Sequence, residues 1–198
     1  MNKSIISILS LAILFILNGC TGTVSNMQIA AQGENITSPK EGSSKIVFLR
    51  ASSSGYAIQS SIFKIENNNP EILGIVAAKK KMSYDLIPGN YIFMVLGESA
   101  DFMYAEIEAN KTYYVDITPR MGVWKARFSL KPISRGIVSS SRFIKSLNNC
   151  ELVMPNESTK IWALVNQESI LSKYTEYYED WMTKDERLRP KLLSSDGI

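Results

Sequence analysis

From residue 45 to residue 132 the chain alternates short β-rich runs with turn signals, and that rhythm limits its possible folds more than any other feature. It is the pattern of a sandwich and not of βαβ units, so the expected class is mainly β, an antiparallel β-sandwich of seven or eight strands. The candidates are residues 46–50, 61–66, 72–77, 83–87, 90–97, 103–108, 112–118 and 124–130. Pro88-Gly89 separates the fourth from the fifth: proline presets φ and glycine accepts a positive φ, as a type II turn requires. Asn110-Lys111 sits likewise between two strands. In residues 90–97, Tyr91, Phe93 and Val95 alternate with Ile92, Met94 and Leu96, and both sets are apolar. Such a strand is expected to be buried on both faces, at the centre of the core.

The last candidate strand reads differently. Trp124, Ala126, Phe128 and Leu130 take one face, and Lys125, Arg127, Ser129 and Lys131 take the other. A basic stripe of this kind is ordinarily a solvated face that also discourages edge pairing. The sharper alternative is a docking strip for an anionic partner such as a lipid headgroup, a glycan or an acidic protein. Lys79-Lys80-Lys81 reads as a solvated hairpin end, too short for a polyanion signature.

Residues 133–198 read as an irregular segment followed by a helical extension. Residues 161–165 are apolar all round and predict a buried turn of helix. Ile170, Tyr174, Tyr177, Tyr178 and Trp181 then recur at helical spacing, with Lys173, Glu176, Glu179, Asp180 and Lys184 opposite them. This is a C-terminal amphipathic helix, with Asn166 or Ser169 placed to cap its start and Arg189-Pro190 ending the pattern. Its aromatic stripe has two readings: packing of the helix on the sandwich, or an exposed site for sugar rings or a protein partner.

Composition removes several functions. Histidine is absent, and with it the usual general base, the commonest zinc ligand and the ordinary switch near neutral pH. The net charge of +3, from 22 basic and 19 acidic residues, lacks the concentrated footprint of a nucleic-acid binder. Cys150 reads as a small buried hydrophobe, its alternative being a reactive thiol. Asp85, Glu98, Asp101, Glu106, Glu108 and Asp116 offer carboxylates but no motif that pairs them, although Glu106 and Glu108 share a strand face. No catalytic residue, metal or cofactor is expected, and the chain reads as a non-enzyme.

The first residues give the strongest statement about location. Lys3 precedes an apolar run over residues 5–17 that is broken only by Ser7 and Ser10. About thirteen residues at ~1.5 Å each fall short of a ~30 Å hydrocarbon core, so the run reads as a signal peptide over residues 1–19. It closes on Leu17-Asn18-Gly19-Cys20, which resembles the lipobox of bacterial lipoproteins, with Asn18 where a small or aliphatic residue is usual. The resemblance implies cleavage between Gly19 and Cys20 and acylation of Cys20. Two or three acyl chains, at ~0.8 kcal/mol per buried methylene, anchor stably where one holds only marginally. Thr21 in place of aspartate implies the outer membrane, facing the periplasm or the cell surface. Residues 20–44 are rich in Gly, Ser, Thr, Asn and Gln and read as a flexible tether with a root-mean-square span of roughly 25–30 Å.

Tyr84-Asp85-Leu86-Ile87-Pro88-Gly89-Asn90-Tyr91-Ile92-Phe93 and Glu108-Ala109-Asn110-Lys111-Thr112-Tyr113-Tyr114-Val115 carry a second resemblance. Over residues 45–132 the chain resembles a family of bacterial lipoproteins with a β-sandwich domain of unassigned function, marked by PGxYxF and aGKxYYv turns. It is similar more distantly to PEGA-like and transthyretin-like sandwiches. Asn110 stands where the second turn usually has glycine, which asparagine's access to the left-handed region allows. The resemblance implies fold and location and carries no catalytic residue across.

The expected function is therefore a lipid-anchored envelope protein, a structural or protein-interaction module whose partners are the membrane, through Cys20, and another envelope protein. The alternative is a ligand-binding module for a glycan or anionic lipid, through Lys125, Arg127 and Lys131 or through the aromatic helix. A carboxylate-dependent hydrolase is the remote third reading.

Overall fold

The computed structural model describes residues 25–120 and 127–198. Among them are eleven strands: β1 Met27–Ile29, β2 Ser44–Arg50, β3 Ser60–Glu66, β4 Asn69–Val76, β5 Lys80–Leu86, β6 Gly89–Leu96, β7 Ala100–Ile107, β8 Thr112–Arg120, β9 Arg127–Ile133, β10 Glu151–Pro155 and β11 Lys191–Leu192. The helices are α1 Arg135–Val138, α2 Ser141–Asn148, α3 Glu157–Val165 and α4 Gln167–Thr183. The strands form a β-sandwich of two sheets, ordered β1-β10-β5-β2-β8-β9 and β11-β7-β6-β3-β4. The eight strands expected from alternation all appear, most of them shifted by only a few residues.

The sheets are mixed, which corrects the purely antiparallel expectation. β2 runs parallel to β8, β10 to β5 and β11 to β7. Two of these parallel pairs are made by residues beyond 132, so the last third of the chain supplies strands to both sheets and is not a mere extension. The Pro88-Gly89 turn is also not a hairpin within one sheet. It carries the chain from β5 in one sheet to β6 in the other, and Gly89 takes φ 158°, far from the about +80° of a type II turn. Asn110 adopts φ 62°, the left-handed conformation its turn calls for.

Both sheets are covered on both faces. Phe48 of β2 meets Phe93 of β6 between them at 5.4 Å, within a core that also holds Ile46, Val95, Met103, Val115 and Phe128. Met94 and Leu96 point the other way and pack with Phe63 and Phe102 under α4, so β6 is apolar on both faces, as its sequence indicates. β2 follows the same logic: Leu49 faces outward, to Val138 of α1 and Phe143 of α2. Layers of helix thus close the two outer faces, and the continuous apolar run Ile46-Val47-Phe48-Leu49 is the sequence trace of that arrangement.

The segment expected to be a flexible tether differs most from expectation. Met27–Ile29 pairs antiparallel with β10, Met27 against Pro155 and Ile29 against Val153. Met27 is 7% exposed and fills the space above Gly74, where an added Cβ would come within 3.0 Å of the Met27 methyl and 2.7 Å of the Met82 sulfur. The Ile75 amide donates to the Met27 sulfur at 3.3 Å. A bulge in β4 at Leu73, beside Gly74, shifts the register of the β3–β4 pair at this place. A second tie lies downstream, where the Gly42 amide donates to Asn110 Oδ1 at 2.8 Å.

Candidate functional site

α4 starts at Gln167 and ends at Thr183, several residues ahead of Arg189-Pro190. Asn166 occupies its N-cap position without a capping side-chain bond; its amide instead donates back to the Trp162 carbonyl at 2.8 Å. The stripe expected on this helix lies against β7. Phe102 is met edge-on by Tyr174 and Tyr178 and obliquely by Trp181, with centroids 5.2–6.1 Å apart. Tyr174 stacks on Tyr178 at 5.1 Å and Tyr178 on Trp181 at 5.9 Å. Tyr174 and Trp181 are buried, and Tyr177 and Tyr178 are half-buried. The stripe is therefore mainly packing, the first of its two readings.

Its C-terminal end does open onto a cleft of about 340 Å³. Tyr178, Trp181 and Met182 of α4 form one wall, Ile92 of β6 and Tyr104 of β7 the floor, and Glu186, Arg189 and Lys191 the rim. The chain is turned back to make this rim by a 3-10 turn over Glu186–Leu188, and β11 then docks beside β7 with the Tyr104 amide donating to the Pro190 carbonyl at 3.0 Å. The Arg189 guanidinium sits 5.2 Å from the Trp181 ring centroid and Lys191 Nζ 5.3 Å from that of Tyr104. Lys191 also pairs with Glu106 at 2.7 Å, and that bond holds its ammonium above the usual lysine value. Trp181 Nε1 is buried without a hydrogen-bond partner. Aromatic walls beside two cations suit a ligand with an apolar or sugar face and an anionic group. Sequence reasoning named Tyr178 and Trp181 here but missed Tyr104, Arg189 and Lys191. It took Arg189-Pro190 only as a stop signal, although the basic residues flanking Pro190 were visible.

The alternation expected along this strand holds over the described residues of β9. Phe128 and Leu130 enter the core as expected, while Arg127 and Lys131 are exposed. Lys125 lies outside the described residues. Arg127 instead lines a separate cleft of about 240 Å³ with Asp101, Arg120, Tyr177, Asp180 and Lys184. Asp101 is buried there, bonded by Arg120 Nη2 at 3.1 Å and by the Ser129 hydroxyl at 2.7 Å. Lys131 lies near Asp116, whose carboxyl is pushed up by burial, an effect opposed by Thr118, the Ala51 backbone and Lys131.

The remaining carboxylates also have partners. Asp85 pairs with Lys45, and Glu108 with Lys111 at 2.5 Å. Among the described residues, no group of three or more acidic or cysteine side chains is placed to hold a metal ion. Lys80 is the one clear error on charge: it is 4% exposed and pairs with Glu151 of β10, and Lys81 donates to the Leu147 carbonyl at 2.9 Å. Lys80 and Lys81 thus tie β5 to β10 and α2, and the triplet is not a solvated hairpin end. Cys150 is buried with Leu49, Ile133, Val138 and Phe143, and burial pushes its thiol up. Gly19 and Cys20 lie outside the described residues.

No protein-family model matches the sequence, and no curated protein matches it either. Among the described residues, no helix is long and apolar enough to cross a membrane.

Proposed function

We propose that the protein is a lipid-anchored envelope protein that acts as a non-enzymatic structural or interaction module. One observation carries this reading: an apolar leader closes on Leu17-Asn18-Gly19-Cys20, and a folded domain follows within a few residues, its first strand at Met27. The resemblance of residues 45–132 to lipoprotein sandwiches supports the same location. Mass spectrometry of the mature protein tests it directly. Expected is an N-terminal Cys20 carrying acyl chains, and an uncleaved precursor accumulating when lipoprotein signal peptidase is inhibited. An unmodified Cys20 refutes the reading. Crosslinking in the native envelope, followed by purification, is expected to recover a protein partner.

A second reading is favoured by the cleft at the end of α4: recognition of an anionic glycan or lipid headgroup by Tyr104, Tyr178, Trp181, Arg189 and Lys191. Binding to peptidoglycan, lipopolysaccharide or anionic vesicles would then weaken with salt and be lost on Arg189→Gln with Lys191→Gln. Loss on Arg127→Gln instead would place the ligand at the Asp101 cleft.

A further inference from the structure

The positive charge of the chain is not spread evenly. Four of its 22 basic residues, Lys131, Arg135, Arg142 and Lys145, fall within residues 131–150, and none of its 19 acidic ones does, so this segment alone more than accounts for the net charge of +3. It folds as the end of β9 followed by α1 and α2. All four basic residues are exposed. On α2, Arg142 and Lys145 stand at i and i+3 and are neighbours on the surface, while Phe143 is the residue the helix buries. Ile137 of α1 and Ile144 of α2 alternate with the cations along the chain and are 48% and 46% exposed.

Strand register puts these groups on one side of the molecule. Lys81, Leu49, Asp116 and Lys131 stand directly opposite one another across β5, β2, β8 and β9, and residues paired in this way share a face of the sheet. Leu49 packs with Ile133 of β9, Val138 of α1 and Phe143 of α2, so that face is the outer one, under the two helices. Lys81 adds a further positive charge there, donating to the Leu147 carbonyl of α2. The carboxylates near this face are already engaged. Asp116 is half-buried and accepts from the Thr118 hydroxyl at 2.9 Å, and Glu151 pairs with Lys80. Asp196, in the 3-10 turn Ser194–Asp196 beside α1, accepts from the Leu193 amide at 2.9 Å. Among the described residues, Arg135, Arg142 and Lys145 form no ion pair. The face therefore carries positive charge that the fold itself does not neutralise.

We propose that this outer face docks on an anionic phospholipid bilayer, with Lys131, Arg135, Arg142 and Lys145 at the phosphates and Ile137 and Ile144 at the boundary with the acyl chains. The charge selects an anionic surface, and the two isoleucines select lipid among such surfaces. A contact with phosphates alone leaves their side chains in water, whereas at a bilayer the aliphatic tips enter the headgroup boundary while the long basic side chains stay at the phosphates. The inference goes beyond the reading of Cys20 and does not depend on it, and the surface is distinct from the cleft at the end of α4.

The test uses the full chain reconstituted into vesicles of phosphatidylcholine with or without phosphatidylglycerol. An environment-sensitive dye is placed on Ile144→Cys or, as the control, on Thr175→Cys, an exposed position of α4, which covers the outer face of the other sheet. With phosphatidylglycerol, blue-shifted emission and severalfold stronger quenching by lipids brominated on their acyl chains are expected at 144 and not at 175. Both effects should vanish in phosphatidylcholine alone, and on raising salt from about 0.1 M to about 1 M, which shortens the Debye length from ~10 Å to ~3 Å. Each cation beside an anionic leaflet strengthens contact roughly fivefold, so Arg142→Gln with Lys145→Gln should keep the thermal unfolding midpoint and lower the docked-to-free ratio read at 144 about 30-fold. Lys131→Gln with Arg135→Gln gives the same readout should the first pair lose the fold. Arg189→Gln with Lys191→Gln is expected to leave the signal at 144 unchanged, and its loss there would move the lipid contact to the α4 cleft and overturn the proposal. Equal quenching at 144 and 175, or quenching at 144 that persists in pure phosphatidylcholine, also overturns it. A shift at 144 obtained only with lipopolysaccharide, or only in native envelopes, assigns the face to that partner and overturns phospholipid docking. Acylation of Cys20 is read separately by mass spectrometry; an unacylated chain added to preformed anionic vesicles is expected to give the same signal at 144, so the two readings fail independently.

Discussion

Replacing Met27 by alanine isolates the contact that holds β1 against the sandwich. Met27 fills the gap above Gly74 and beside Met82, accepts from the Ile75 amide, and lies 3.5 Å from the Thr159 hydroxyl. Methionine-to-alanine changes in a core cost about 2–5 kcal/mol; the lower part of that range, about 2–3 kcal/mol, applies here because flexible Met82 can partly fill the hole. β1 has three residues, and each ordered residue costs about 1–2 kcal/mol of backbone entropy, so its docking free energy is itself only a few kcal/mol. The loss of global stability is capped by that docking energy, because an undocked segment no longer feels the substitution. Hydrogen exchange of the Ala30 amide, which donates to the Leu152 carbonyl at 3.0 Å, reads the effect directly. It should accelerate about 30- to 150-fold, the equivalent of 2–3 kcal/mol, while the amides of β6 hold their protection. The freed segment would then extend to the Gly42–Asn110 contact, the next tie along the chain. Unchanged exchange at Ala30 would refute the assignment of Met27 as the latch, and acceleration spread equally through both sheets would refute the claim that β1 opens locally.

Two further substitutions test buried groups. Arg50 is fully buried, donates to the carbonyls of Ile58, Ser54 and Gly55 at 2.6–2.9 Å, and lies 4.5 Å above the Phe128 ring; burial pulls its guanidinium down to about 10. Arg50→Ala should cost about 3–4 kcal/mol in urea unfolding and loosen residues 51–59, and Arg50→Lys should lose about half as much, since one ammonium replaces a fork. Equal stability of the lysine variant would refute the fork. For Cys150 the folded pKa is raised above the ordinary 9.0, so the unfolded chain ionises first as pH rises. Its contribution is fully present below the unfolded value and declines from there up to the folded one. Thiolate absorbance in the native protein should therefore appear only above pH 9, and a titration at or below the free-thiol value would contradict the burial.

The strands of the sandwich were legible because their information is local. Alternation in β6, the apolar run of β2 and the turn residues at Asn110 each state a conformation within ten residues, and the structure follows them. What was not legible is long-range. Met27–Ile29 has no periodicity of its own, and it is a strand only because β10, more than a hundred residues later, offers an edge. Lys80 likewise reads as a surface lysine until Glu151 arrives beside it.

The aromatic and aliphatic patches of the last third show why hydrophobicity alone misassigns burial. Tyr174 and Trp181 recur at helical spacing over a helix of 17 residues, which leaves room for a polar face opposite, so their burial could be read. Residues 161–165 have no polar residue among them to mark an outside, and burial was the natural inference. Yet a helix of nine residues has only one side to give to the sandwich, and Thr159, Trp162 and Ala163 already occupy it. The surplus of apolar residues must then face outward.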